Sequence, residues 1–206
     1  MNWVFSATAS FPQKNLTPKE NPMKPVLTSL LLLLFTPPTQ AETWHGKASI
    51  QFDGTSTLHD WGGKVDAEPF KAEVAMLTGK PQSVAAKVVV KAAKMDTADE
   101  KRDENMRKAM KAPEHPLIEA EIDSPFDDIA AGEIPQKLPL TLTVLGKPQK
   151  ITGTISNWRL SGDTATFDLN ADLSLKKSGI TVPSVLIFIK VGDAIKIHAS
   201  VTLKRP

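Results

Sequence analysis

The stretch Phe167–Leu175, F-D-L-N-A-D-L-S-L, decides the fold class of this 206-residue chain. Apolar side chains occupy every second position, and Asp, Asn or Ser occupies each position between them. Because successive side chains of a β-strand point to opposite faces, this alternation is typical of a strand with one dry face and one wet face. The stretch Ile195–Leu203, I-K-I-H-A-S-V-T-L, repeats the pattern.

The same period of two recurs along most of the chain and predicts a mainly β protein. A turn at Gly146-Lys147 separates two alternating runs and predicts a hairpin. About eight antiparallel strands are compatible with either a sandwich or a closed barrel. The barrel is favoured because closure removes exposed strand edges. The further apolar faces are Ala48, Ile50 and Phe52; Phe70, Ala72, Val74 and Met76; Val84, Ala86, Val88, Val90 and Ala92; Ile118, Ala120 and Ile122; Leu138, Leu140, Leu142 and Val144; and Ile151, Gly153 and Ile155.

A single charged helix, expected at about residues 98–112, interrupts the strands. Thr97 and Glu100 have the spacing of a capping box, which predicts the start of the helix. Pro113 and Pro116 are expected to end it, because proline cannot continue a helix. Its thin apolar stripe, expected to face inward, consists of Met106, Ala109 and Met110.

The front of the chain resembles a secretory leader. Residues 23–41 contain one Lys, an apolar run of about ten residues and a small-residue cleavage site between Ala41 and Glu42. That run is too short for a permanent membrane anchor, which needs about 20 residues. Residues 1–22 are interpreted as an upstream extension or mis-start, and residues 42–206 as one domain. These features predict a periplasmic or secreted protein.

Charge and composition exclude several classes of function. Residues 1–41 hold three lysines and one acid, so the 25 basic and 23 acidic residues of the chain become 22 of each after cleavage. A neutral chain gives no support for binding nucleic acid. The sequence has no cysteine, no metal-binding motif and no nucleophile or dinucleotide fingerprint, so no cofactor or metal is expected.

An eight-stranded barrel can be filled by side chains or can hold one small ligand. Composition leaves these alternatives open, because many aliphatic and few aromatic residues fit both an apolar cavity and an ordinary packed core. Residues 185–189 (V-L-I-F-I) form the one strand that is apolar on both faces. That segment is expected to lie under the helix or to form a homodimer contact.

Two histidines are weak candidates for catalysis. His59 stands beside Asp60, but neighbours on a strand point to opposite faces, and Gly62-Gly63 indicates a bulge or turn. His115 lies near two prolines, where a turn or a role at a ligand entrance is favoured. Arg102 is either part of a solvated helix face or a partner for a lipid headgroup.

Four motifs together resemble the YceI-like family of bacterial lipid-binding proteins. They are Arg102–Met106 in the helix, His115–Ala120 after it, Gly54–Trp61, and Leu175–Ile180. Asn105 departs from the family pattern, since many members have His there. The resemblance implies a lipocalin-like, eight-stranded barrel with the helix beside it, holding a polyisoprenoid or a fatty-acid derivative.

The first hypothesis is therefore a periplasmic protein that binds, transports or stores a long apolar lipid and performs no chemistry. The alternatives are a structural or stress-related module with a packed core and, less favoured, a hydrolytic enzyme that uses His59 or His115. The residues expected to contact the lipid are Phe52, Trp61, Ala86, Val88, Arg102, His115, Phe167 and Phe188.

Overall fold

The computed structural model describes residues 41–77, 80–125, 134–181 and 190–206. The leader, the upstream extension and the apolar segment 185–189 with Phe188 lie outside these residues, so the predictions about them stay predictions. The strands are β1 (Ala41–Ser56), β2 (Trp61–Asp66), β3 (Phe70–Leu77), β4 (Lys80–Lys91), β5 (Leu117–Pro125), β6 (Lys137–Val144), β7 (Lys147–Ser161), β8 (Thr164–Ser174) and β9 (Val191–Lys204). The described helices are a single 3₁₀ turn, Ala92–Lys94, and α1 (Glu100–Ala109).

Strand β1 closes the sheet into a barrel because it pairs on both of its edges. Residues 45–56 pair with β9, and residues 41–46 pair with β3 on the opposite edge. From β3 the antiparallel order continues through β4, β5, β6, β7 and β8 back to β9. The predicted closed barrel of eight strands is confirmed, and the sandwich is excluded. The extra strand, β2, pairs with residues 49–54 of β1, on the edge that β3 leaves free.

The two ends of the barrel differ. The end that carries the last residues of β1 and β4 and the first of β5 also carries α1, and we call it the helix end. The opposite end, where β1 begins and β9 finishes, we call the far end. Within the described residues, no helix is long and apolar enough to cross a membrane.

The hairpin between β6 and β7 turns one residue earlier than predicted. Val144 pairs with Lys147, so the turn consists of Leu145 and Gly146 rather than Gly146-Lys147. Both turn residues have positive φ, 53° and 69°. Two positive φ angles characterise the two-residue turn whose twist matches that of the flanking strands. A leucine in this conformation gives little signal in the sequence.

The start of α1 differs from the predicted capping box. Asp99 is the N-cap, and its carboxylate accepts a hydrogen bond from the Arg102 N–H at 2.8 Å. Thr97 instead donates from its backbone N–H and from Oγ1 to the carboxylate of Asp103, at 2.9 and 2.6 Å. The predicted cap at Thr97 is wrong because Asp99 lies two residues closer to the helix, directly before its first residue, and caps equally well.

The helix also ends before either proline. Ala109 is its last residue, and Lys111 adopts the left-handed conformation with φ 46°. The N–H groups of Ala112 and Lys111 donate to the carbonyls of Arg107 and Lys108, both at 3.0 Å. This pair of bonds is a Schellman motif, which satisfies the last carbonyls and terminates the helix. The predicted end at residue 112 is therefore three residues too late.

Lys111→Gly is expected to raise the free energy of unfolding by about 0.5–1 kcal/mol, because glycine adopts a positive φ without the steric penalty that a Cβ incurs. Urea unfolding followed by tryptophan fluorescence measures the change. Lys108→Gly, inside the same helix, is the matched control and is expected to cost about 1 kcal/mol. Equal destabilisation by the two substitutions would contradict the assignment of Lys111 to the helix cap.

Candidate functional site

The interior of the barrel is hollow. It encloses a cavity of about 550 Å³ lined by the inward faces of the strands. Several inward side chains halfway along the barrel, including Ala86, Val88, Ala120 and Leu169, are only half-buried although they point away from bulk solvent. A close-packed interior would bury such residues fully. Composition left both an apolar cavity and an ordinary packed core open, and the structure shows a cavity.

The polar residues of the cavity wall are confined to the helix end, where they form what we call the mouth. Among the described residues, every other wall position is apolar. Leu58 lies at the mouth and is 65% exposed. The polar mouth residues are Ser56, His59, Asp99, Lys101, Arg102 and Asn105.

The far end contains a tightly packed aromatic cluster. Trp44, on the inward face of β1, is only 1% exposed and packs in one cluster with buried Ala, Val and Leu side chains. The guanidinium of Arg205 lies 4.9 Å from the centre of the Trp44 ring and pairs with Glu42 at 2.8 Å. Nearby, the rings of Trp158 and Phe167 stack at 5.8 Å and line the cavity.

Strand β2 adds a second aromatic pair near the mouth. Its first residue, Trp61, meets Phe52 of β1 edge to face, with ring centres 6.4 Å apart and planes at 71°. The predicted bulge or turn at Gly62-Gly63 is wrong, since both glycines lie inside β2. A Cβ at Gly63 would overlap the Phe52 ring, so glycine is needed there for close approach.

Each cation on the wall of the mouth faces a carboxylate. The Arg102 Nη2 lies 3.7 Å from the Asp99 carboxylate, and Nη1 donates to the Thr97 carbonyl at 3.4 Å. Lys101 pairs with Glu104 at 3.0 Å. Lys108, and then Lys101, donate hydrogen bonds to Glu104 and lower the pKa of its carboxyl to about 2, so that this partner of Lys101 is ionised at neutral pH. The two positive charges of the mouth are therefore neutralised by neighbouring carboxylates.

A family profile described as the YceI-like domain matches residues 42–203. The chain belongs to the YceI-like family. The predicted membership is thus confirmed over nearly the whole described chain. No curated protein sequence matches this YceI-like chain at a significant level.

Two solved structures share the fold of this YceI-like protein. BcnA from Burkholderia cenocepacia aligns with a TM-score of 0.58 at 17% identity, covering 75% of this chain and 95% of BcnA. A polyisoprenoid-binding domain from Saccharophagus degradans, implicated in plant cell wall breakdown, aligns with the same TM-score at 10% identity. That alignment covers 79% of this chain and 98% of the domain. At such identities the likeness shows the fold alone.

The cavity brings together most of the residues that were expected to contact a lipid. His115 lies outside its wall, beside the turn at Gly146, and Phe188 lies outside the described residues. Contact with a ligand stays a prediction for all eight. The predicted residues that line the cavity are Phe52, Trp61, Ala86, Val88, Arg102 and Phe167.

The inward-facing stripe predicted for α1, Met106, Ala109 and Met110, lines the cavity, but sequence reasoning missed Lys101 and Asn105. Asn105 and Met106 follow Arg102 by three and four residues, the spacing that places side chains on one helical face. That spacing was the available signal, but Asn105 drew attention only as a departure from the family pattern. Leu58 was missed because a single apolar residue between polar neighbours has no periodicity.

In the described residues, neither the His59 ring nor the His198 ring is hydrogen-bonded to a nucleophilic side chain. His59 is exposed at the mouth, and its backbone bonds with the Ser56 hydroxyl at 2.7 and 3.3 Å. His198 lies on the outer face of β9, where its Nδ1 is 2.7 Å from Asn170 Oδ1. Ser200 beside it donates to Asp168 at 3.0 Å, so the hydroxyl is committed to a carboxylate rather than to the imidazole.

Two hydrogen bonds hold that carboxylate on the outer face. Asn157 donates to it at 2.7 Å and Ser200 at 3.0 Å, and these bonds lower the pKa of Asp168. The arrangement stabilises the pairing of β7, β8 and β9 across the wet face. Within the described parts of the chain, no group of three or more His, Cys, Asp or Glu side chains could hold a metal ion.

Proposed function

We propose that this YceI-like protein binds one long apolar lipid, a polyisoprenoid or a fatty-acid derivative, inside its barrel and carries or stores it in the periplasm without chemical change. The hollow interior carries this proposal. An apolar cavity with a polar mouth at the helix end suits a molecule with a long apolar tail, whereas a structural module would gain stability by filling the space.

The energetics of burial support a lipid. The cavity of about 550 Å³ lies within the range of roughly 300–1,000 Å³ that is typical of ligand pockets. At about 0.8 kcal/mol for each buried methylene, ten methylenes contribute roughly 8 kcal/mol before entropic costs. The apolar wall therefore supplies a large favourable contribution to binding without specific polar contacts, and a longer tail adds to it in proportion.

Two further observations support the ligand class and the compartment. The domain of Saccharophagus degradans that shares the fold is described as polyisoprenoid-binding. The leader predicted over residues 23–41 would export the chain to the periplasm. Membership of this family favours binding over catalysis.

Native mass spectrometry tests the proposal directly. Protein of residues 42–206 is purified from the periplasm without detergent, its intact mass is measured, and the bound molecule is extracted into organic solvent. We expect one additional mass per chain that extracts as a lipid. A bare polypeptide mass that stays unchanged after incubation with fatty acids and polyisoprenoids would overturn the proposal.

A further inference from the structure

The mouth determines how a lipid would lie in the barrel. Its six polar residues are all at the helix end, while the far end presents the Trp158 and Phe167 rings. Burying a polar headgroup among apolar side chains without hydrogen bonds is unfavourable. A bound amphiphile therefore places its tail toward Trp158 and its headgroup beside α1.

The charges at the mouth argue against an anionic headgroup. A site for a carboxylate or a phosphate normally offers a cation that is free to form charge-assisted hydrogen bonds. Here the guanidinium of Arg102 already lies by the Asp99 carboxylate, at 3.7 Å, and Lys101 is bonded to Glu104 at 3.0 Å. An anion beside Arg102 would also meet repulsion from Asp99.

Two polar side chains of the mouth have no hydrogen-bond partner among the described residues. Within the described residues, neither the Asn105 amide nor the His59 ring makes a hydrogen bond. A primary amide both donates and accepts hydrogen bonds, and a neutral imidazole does the same with its two nitrogens. Asn105 lies on the half-buried inner side of α1 and lines the cavity.

We propose that the natural ligand has an uncharged headgroup that donates or accepts hydrogen bonds, such as an alcohol or an amide, and that Asn105 binds it while the Asp99–Arg102 pair excludes anionic lipids. This inference rests on the proposed function, since it concerns the headgroup of the same lipid. It identifies Asp99 as the residue that sets the charge preference and Asn105 as the residue that contacts the headgroup.

Three lipids with the same sixteen-carbon chain test the headgroup: hexadecanol, hexadecanamide and hexadecanoate. Each is titrated at neutral pH while tryptophan fluorescence is followed, because Trp61 lies near the mouth. We expect the alcohol and the amide to bind at least about tenfold more tightly than the carboxylate, because the carboxylate finds no free cation at the mouth and is repelled by Asp99.

Asp99→Asn isolates the charge of Asp99, since asparagine caps a helix as well as aspartate does. The substitution leaves Arg102 without its carboxylate, and we expect hexadecanoate to bind about tenfold more tightly while hexadecanol is unaffected. Glu100→Gln is the matched control, because it removes the same charge from an exposed neighbour that does not line the cavity. We expect no change in hexadecanoate affinity for this control.

Asn105→Leu tests the headgroup contact, and we expect hexadecanamide to bind about tenfold more weakly. Wild-type protein that binds hexadecanoate as tightly as hexadecanol would overturn the inference while leaving the proposed function intact. An equal gain in Asp99→Asn and Glu100→Gln would overturn the role of Asp99. Failure of all three lipids to bind would contradict the proposed function and the inference with it.

Discussion

Trp44→Ala is expected to lower the free energy of unfolding by about 3–5 kcal/mol, the usual cost of truncating a large aromatic side chain in a core. Trp44 is 1% exposed and is among the largest side chains that are fully buried. It packs with Ala72, Val74, Ala165 and Leu203 at the far end. The substitution also removes the ring on which Arg205 stacks.

The predicted loss is large because stability totals only about 5–15 kcal/mol for a typical domain. The cluster joins β1, β3, β8 and β9, and these strands include the pair that closes the barrel. A cavity left by Trp44 cannot be filled by the small neighbours Ala72 and Ala165. The effect should therefore approach the upper part of the range.

Urea unfolding, followed by circular dichroism, measures the change. Trp44→Phe is expected to cost much less than Trp44→Ala, because it keeps an aromatic ring and removes a buried indole N–H that has no hydrogen-bond partner in the described structure. Leu117→Ala, at a position 42% exposed, serves as the control and should change stability by less than about 0.5 kcal/mol. A similarly small effect at Trp44 would contradict its place in the core.

The strand faces could be predicted from the sequence because period-two alternation reports burial directly. The inward residues of the two stretches Phe167–Leu175 and Ile195–Leu203, which form most of β8 and β9, all line the cavity as the alternation predicted. Antiparallel strands joined by short turns limit the alternatives to two, and the avoidance of free edges selects the barrel. The family resemblance led to the same fold from independent motifs.

The hollow interior could not be predicted from the residues alone. Whether inward side chains meet depends on the diameter of the closed barrel, which depends on strand number and stagger and not on composition. The same Ala86 or Val88 would be fully buried in a narrower barrel. The apolar alternation therefore predicts which residues face inward but not how much space lies between them.

The details of α1 escaped prediction for a different reason. Thr97 and Asp99 are both good caps and lie only two residues apart. In the structure the Thr97 hydroxyl bonds to the Asp103 carboxylate, while the Asp99 carboxylate accepts from the helix N–H of Arg102. The charge compensation at the mouth depends on side-chain contacts, since Arg102 and Lys101 each have several acidic neighbours in sequence. Spacing alone cannot choose between these partners.

Ala86→Trp is expected to weaken lipid binding by roughly fiftyfold while the barrel stays folded. Ala86 lines the cavity midway between the mouth and the far end, and its neighbours across the sheet are Ala72 and Ile122. An indole there takes the room of about three methylenes of the tail, each worth about 0.8 kcal/mol, which gives the stated factor. Affinity is measured by fluorescence titration with the lipid recovered from the native protein.

Ala85→Trp provides the matched control, because Ala85 is the adjacent residue on the same strand and its side chain is exposed on the outer face. It introduces the same side chain without entering the cavity, so binding should be unchanged. The empty space at Ala86 accommodates the new ring, so both variants should keep the unfolding midpoint close to that of the wild type. If a folded Ala86→Trp variant binds as tightly as Ala85→Trp, the lipid does not occupy the barrel, and the hollow interior has another role.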